Sequence, residues 1–143
     1  MYEKVFLDAN IFIDANDKNR AAYTQSLLIL EHLVTKQKII YTSCDLVTTI
    51  YYILSKVNKN HALDNIENIN KICKIIDFSN KEISLTCKLM REDKNYKDLE
   101  DTLQVVLAKK ENCDLIISND KRFYSKNIKL MTSQEFCEKY LDI

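Results

Sequence analysis

Three aspartates occupy positions from which carboxylates can act together. Asp8 ends the apolar run Lys4-Val5-Phe6-Leu7, and Asp120 follows Leu115-Ile116-Ile117 after Ser118 and Asn119. Asp101 lies three residues past Asp98, where a helix should begin. In an open parallel sheet the ligand cleft lies beyond the carboxyl ends of the strands, so acids just after strands or early in helices are the informative ones. Two carboxylates about 4 Å apart repel by about 4 kcal/mol at an effective dielectric near 20. Three in one cleft therefore favour a cation. Oxygen ligands without His or Cys suit Mg²⁺ or Mn²⁺ better than zinc, and such ions serve phosphoester chemistry. Each acid also has an ordinary use: Asp8 and Asp120 as turn residues, Asp101 as a complement to the helix dipole behind an Asp98 N-cap. It is their joint placement that points to a site. Asn10 and Asn119, close to two of them, could orient water or phosphate, or simply form turns.

These residues need strands and helices to bring them together. Lys4–Leu7 reads as a buried first strand, and Ile11–Ala15 as a short helix. Arg20–Lys36 reads as a longer helix with Ala21, Leu27, Leu28, Leu30, Leu33 and Val34 at helical spacing. Lys38–Tyr41 is a second strand, and Thr42 or Ser43 can cap a helix whose Leu46, Ile50, Ile53, Leu54 and Val57 form one face. A helix from about His61 to Ile72, on Leu63, Ile66, Ile69 and Ile72, leads to a strand at Ile75–Phe78. Ser79 or Asn80 then caps a helix reaching about Glu92. The polar stretch Glu92–Lys97 reads as a loop, and Asp98 opens a helix on Leu99, Leu103, Val106 and Leu107. Asp114–Ile117 and Lys129–Met131 are the last strands, and Ser133 caps a final helix to Leu141. Short apolar strands alternating with helices imply a central, mainly parallel sheet covered on both faces, an α/β fold of three α/β/α layers.

Composition narrows the options further. The 143 residues suit a single domain, 1–143, and 46% hydrophobic with 29% charged residues is not the composition of a disordered chain. There is no glycine and no proline. That excludes the Walker A loop, the G-x-G-x-x-G turn, the G-x-S-x-G elbow and the EF-hand, each of which needs a residue without Cβ. Positive-φ turns must pass to Asn and Asp. Lys+Arg and Asp+Glu both number 21, so net charge predicts neither a nucleic-acid magnet nor a membrane binder. Five widely spaced cysteines without C-x-x-C, and only two histidines, argue against zinc. With no signal-like N-terminus and no long apolar window, a soluble, cytoplasmic protein with reduced thiols is expected.

The segments Leu7-Asp8-Ala9-Asn10-Ile11-Phe12-Ile13-Asp14, Asp98-Leu99-Glu100-Asp101-Thr102-Leu103-Gln104 and Ile116-Ile117-Ser118-Asn119-Asp120-Lys121-Arg122-Phe123 resemble, in order and spacing, the opening, central and late acidic motifs of PIN-domain proteins. The length suits a stand-alone PIN domain, as in the toxin half of VapBC-type toxin–antitoxin modules. The resemblance implies a three-layer α/β/α fold, Mg²⁺- or Mn²⁺-dependent endoribonuclease activity, homodimers, and a small antitoxin protein in the active-site groove. It makes Asp8, Asp101 and Asp120 the catalytic metal ligands, with Asp14, Asp98 and Glu100 as supporting acids. One departure stands out: where the family usually has Glu or Asp, this chain has Thr49, which can hydrogen-bond water but carries no charge. Asp45, one helical turn earlier, either reaches in or serves the first turn of its helix.

The expected function is therefore a hydrolase that cuts RNA phosphodiester bonds, the toxin of a type II module, with activity attenuated by Thr49. The alternative is a degenerate PIN domain that binds RNA or protein without cleaving. Lys56, Lys59, Lys121, Arg122 and Lys126 could contact phosphates, or be ordinary solvated side chains. Tyr51 and Tyr52 could stack on bases, but packing is the commoner use of a Tyr beside a core face.

Overall fold

A computed structural model describes residues 2–143. β1 (Lys4–Leu7) is followed by α1 (Ala9–Ala15), α2 (Tyr23–Thr35), β2 (Ile39–Ser43), α3 (Cys44–Ser55), α4 (Lys59–Ile72), β3 (Cys73–Ile76), α5 (Asn80–Glu92) and α6 (Leu99–Lys110). Then come β4 (Leu115–Ile117), β5 (Lys129–Met131) and α7 (Ser133–Phe136), which widens into a π turn over Cys137–Leu141. The strands form one all-parallel sheet in the order β3-β2-β1-β4-β5. The connections β1→β2 and β2→β3 run one way along the sheet and β3→β4 runs back across it. Right-handed crossovers therefore put α1–α4 on one face and α5–α6 on the other. The three-layer α/β expectation holds.

The sequence explains the centre of this arrangement. Val5, Phe6, Leu7, Leu115, Ile116 and Ile117 are almost wholly buried, as expected of parallel strands covered on both faces. Their register pairs Leu7 with Ile117, so β1 and β4 end side by side. At this junction the chain order of the strands reverses direction, and such a switch point opens a crevice at the carboxyl edge of a parallel sheet.

Several helix faces differ from those expected. α2 starts at Tyr23 rather than Arg20, so that Ala21 lies exposed ahead of it; the helix buries Ser26, Ile29 and Leu33 and leaves Val34 exposed. Ile29 had no place in the expected stripe because the run 27–30 is apolar throughout, and tertiary packing chooses among its residues. α3 ends at Ser55, which leaves Val57 85% exposed. In α4 the inward residues are Ala62, Asn65 and Ile69 while Leu63 faces out, and Leu99 on α6 is likewise exposed. β3 ends at Ile76, before Asp77 and Phe78. Thr132, not Ser133, caps α7: its side chain accepts from Glu135 N–H. Positive φ falls on Gln37, Asn112 and Asp142, so one turn uses a Gln and most Asn are not αL turn formers. All five cysteines are free. Among the described residues no helix is long and apolar enough to cross a membrane.

Candidate active site at the carboxyl edge of the sheet

Asp8 is the N-cap of α1, directly after β1. Its backbone N–H donates to the Ile117 carbonyl at 3.1 Å, extending the β1–β4 ladder by one rung. That rung places Asp8 beside Ser118, the first residue after β4. Ser118 Oγ donates to Asp8 Oδ2 at 2.7 Å and accepts from Asp120 N–H at 3.1 Å, while Ala9 N–H donates to Asp8 Oδ1 at 2.7 Å. One buried hydroxyl thus links the two strand-end aspartates. Asp101 comes from the first turn of α6, where the Asp98 carboxylate caps the helix by accepting from Asp101 N–H at 2.9 Å.

These acids lie close enough for their charges to act on one another. The Asp101 carboxyl is pushed up from its ordinary 3.8 to about 7, first by burial and then by repulsion from Asp120, Asp98, Asp8 and Glu100. Asp8 is 5% exposed and is also raised, mainly by burial, with Asp120 adding to it. Glu100 is raised by burial and then by Asp45, Asp8 and Asp98. Among the described residues no basic side chain lies within 4 Å of Asp8, Asp98, Glu100 or Asp101, and Asp120 has only the well-exposed Arg122, at 3.8 Å. An acidic pit whose close positive charge, among the described residues, is limited to the exposed Arg122 attracts protons or cations.

The donor set is all oxygen, which suits a hard cation. Among the described residues no three acidic, His or Cys side chains are gathered tightly enough to enclose an ion. Mg²⁺ and Mn²⁺ are hard cations of this kind, and Mg²⁺ usually keeps several waters while using one or two carboxylates.

The supporting residues separate into those that face the pit and those that do not. Asp45 faces it, since its charge is felt at Glu100; Ser43 Oγ donates to its Oδ1 at 2.5 Å. Ser43 therefore anchors Asp45 instead of capping α3 through its own oxygen. Thr49 is half-buried, and its hydroxyl donates back to the Asp45 carbonyl at 3.5 Å. Asn119 is committed elsewhere: Nδ2 donates to Asp14 Oδ2 at 3.5 Å and Oδ1 accepts from the N–H and Oγ of Ser133. It ties the loop after β4 to α7. Asp14 also takes Arg20 at 3.4 Å, an internal pair. Asn10 is half-buried in the first turn of α1. Lys121, Arg122 and Lys126 lie exposed on the loop that begins at Asp120, and Tyr96, whose hydroxyl accepts from Lys126 N–H at 3.2 Å, holds that loop. Tyr51 packs on the core, whereas Tyr52 is 63% exposed with Lys56 Nζ 4.4 Å from its ring centre, so only the first follows the packing expectation.

Two further residues escaped the reading of the sequence. Ser118 was a residue between a strand and an acid, and nothing in its type revealed the bridge. Gln104, one turn past Asp101, is 1% exposed and both of its amide atoms lack a hydrogen-bond partner. An unsatisfied buried polar group costs about 1–3 kcal/mol. A polar residue at an apolar position between Leu103 and Leu107 was the available signal.

The PIN domain family profile matches residues 4–122. The chain belongs to the PIN-domain family. Within it, the chain is 48% identical over 138 residues to Ribonuclease VapC1 of Aquifex aeolicus, covering 96% of both proteins. Solved PIN-fold structures superpose with it. VapBC2 from Rickettsia felis, bound to a DNA fragment from its promoter, gives a TM-score of 0.65 at 24% identity over 90% of this chain and 98% of that one. VapC20 of Mycobacterium tuberculosis, a sarcin-ricin loop cleaving toxin, gives 0.61 at 11% identity over 78% and 86%. These two extend the likeness in fold, and the Aquifex relative carries the assignment to the VapC type.

Proposed function

We propose that this VapC-type PIN protein is a metal-dependent endoribonuclease, the toxin of a toxin–antitoxin pair, and that Asp8, Asp101 and Asp120 are its cation ligands. The observation that carries this reading is the gathering of acids at the β1/β4 switch point, with no close cation but the exposed Arg122 among the described residues; burial first, and then repulsion from the neighbouring acids, pushes the Asp101 carboxyl up to about 7. A bound Mg²⁺ or Mn²⁺ would polarise the scissile phosphate and help ionise an attacking water. The protein's own part is to hold the ligands. The β1–β4 ladder fixes Asp8, Ser118 keeps Asp8 and the Asp120 backbone in one hydrogen-bonded chain, and the α6 N-terminus presents Asp101. Glu100 and Asp45 add negative charge on the side where Thr49 brings none. Lys121, Arg122 and Lys126, exposed on the loop that begins at Asp120, are suited to the flanking phosphates of an RNA strand.

The likeness to the R. felis VapBC2 structure supports a small antitoxin as partner here. A homodimer and a cytoplasmic location complete the reading. The test is incubation of the purified protein with mixed RNA and Mn²⁺. Wild type should cleave, and Asp8→Asn should lose at least about a hundredfold in rate, the loss of a residue acting as part of a catalytic unit. A wild type that binds RNA and never cuts it would establish the degenerate reading instead; an Asp8→Asn variant that cuts as well as wild type would remove this site.

A further inference from the structure

Gln104 is the unusual residue of the pit. It is among the few described side chains with buried polar atoms lacking partners, together with Ser26 and Asn65, and both the nitrogen and the oxygen of its amide are unused. Buried side-chain polar atoms normally find partners, and Leu103, Val105 and Leu107 around it show that this stretch of α6 accepts apolar residues. Its position is specific: three residues after Asp101 on the same helix, hence on the same face. Its amide is close enough to Asp8 to favour the ionised carboxylate as a donor, yet it stops short of a full hydrogen bond. Asp8 meanwhile has Oδ1 on Ala9 N–H and Oδ2 on Ser118 Oγ. Both carboxylate oxygens are thus engaged by the protein, and a third donor waits beside them.

We propose that Gln104 is a positioning residue, whose amide N–H takes hold of the Asp8 carboxylate when a divalent cation competes with Asp8's present hydrogen bonds. The inference rests on the pit being a cation site. Donors behind a ligating carboxylate orient it and raise its usefulness to the ion, and losing one typically weakens metal affinity or activity by about 10–100-fold. An amide kept unsatisfied in the cation-free protein is a cost in stability exchanged for that hold. Gln104→Leu should therefore leave the cation-free fold as stable as wild type or more so, while weakening the cation site.

The experiment is Mn²⁺ binding followed by electron paramagnetic resonance and by calorimetry, with thermal unfolding in EDTA, on wild type, Asp8→Asn, Gln104→Leu and Gln104→Met. Met keeps the length of the side chain and lacks the N–H. Expected is an Mn²⁺ Kd about tenfold weaker in both Gln104 variants, with a Tm in EDTA at or above wild type. Wild-type affinity in the Gln104 variants, with Asp8→Asn unable to bind, would overturn this role and leave the site intact. Failure of wild type itself to bind Mn²⁺ would overturn the site and this role together. A Tm in EDTA well below wild type in both Gln104 variants would show that Gln104 serves the fold and would overturn the proposal.

Discussion

Asp101→Asn should stabilise the cation-free protein at alkaline pH while destroying its activity. In the unfolded chain Asp101 ionises near its ordinary 3.8, and in the folded protein near 7. Between those values the folded state keeps a proton that the unfolded state has released, so stability falls as pH rises through this window and the full penalty is present above it. Each pH unit is worth about 1.36 kcal/mol, so a fully buried group would lose about 4 kcal/mol. Asp101 is half-open to water, and screening brings the figure to about 1–2 kcal/mol. At about 3–4 °C per kcal/mol for a chain of this size, Asn should raise Tm by about 3–8 °C at pH 8.5 and by almost nothing at pH 4. The assay is differential scanning calorimetry in EDTA across that range. Saturating Mn²⁺ supplies the complementary half: at about 100 times its Kd it should stabilise wild type by about 2.7 kcal/mol, and the Asn variant much less. If Asn leaves the protein no more stable than wild type at pH 8.5, the burial and repulsion inferred to raise the Asp101 carboxyl are wrong.

Ser118→Ala removes a 2.7 Å bond to Asp8 and the acceptor of Asp120 N–H. It should cost about 1–3 kcal/mol in stability by chemical denaturation, and a cost below about 0.5 kcal/mol would mean that the bridge contributes little. Thr49→Glu returns a carboxylate to the position where PIN proteins usually carry one, so Mn²⁺ titration should show tighter binding and RNA cleavage should quicken. An unchanged Mn²⁺ affinity would show that Glu100 and Asp45 already serve. Ile29→Ala, at a site with no exposure, should cost about 2–5 kcal/mol while Val34→Ala, on the exposed side of the same helix, should fall within about 0.5 kcal/mol. Equal effects in urea melts would refute the assigned face of α2.

The strand ends were legible because a parallel strand covered on both faces must be apolar along its length, and the first polar residue after it marks the carboxyl edge. Lys4–Leu7 followed by Asp8, and Leu115–Ile117 followed by Ser118-Asn119-Asp120, announce themselves in this way. Helix faces were less legible where apolar residues crowd every position, as at Leu27-Leu28-Ile29-Leu30. Periodicity has no contrast there, and the contacts of α2 with α1 and α7 decide which residue turns inward. Caps lay between: Asp98 was clear from its type and place, whereas Ser133 gave up the cap of α7 to Thr132 because Asn119 and Gln25 take its hydroxyl.

The same distinction governs the site. Asp8, Asp101 and Asp120 could be found in the sequence, because a carboxylate just after a strand or early in a helix is a candidate by type and place, and the joint placement of three such acids points to a site. Ser118 and Gln104 could not, because what makes them interesting is relational: one hydroxyl sits between two acids, and one amide is buried without partners. A serine after a strand and a glutamine in a helix are otherwise commonplace. The rise of the Asp101 carboxyl is relational as well, since its burial and the repulsion from Asp8 and Asp120 exist only once separate parts of the chain have been brought to one crevice. What the chain retains there at a cost to its stability, namely carboxylates raised by burial and by one another and a buried amide without a partner, is therefore the strongest physical sign that the crevice is a binding site.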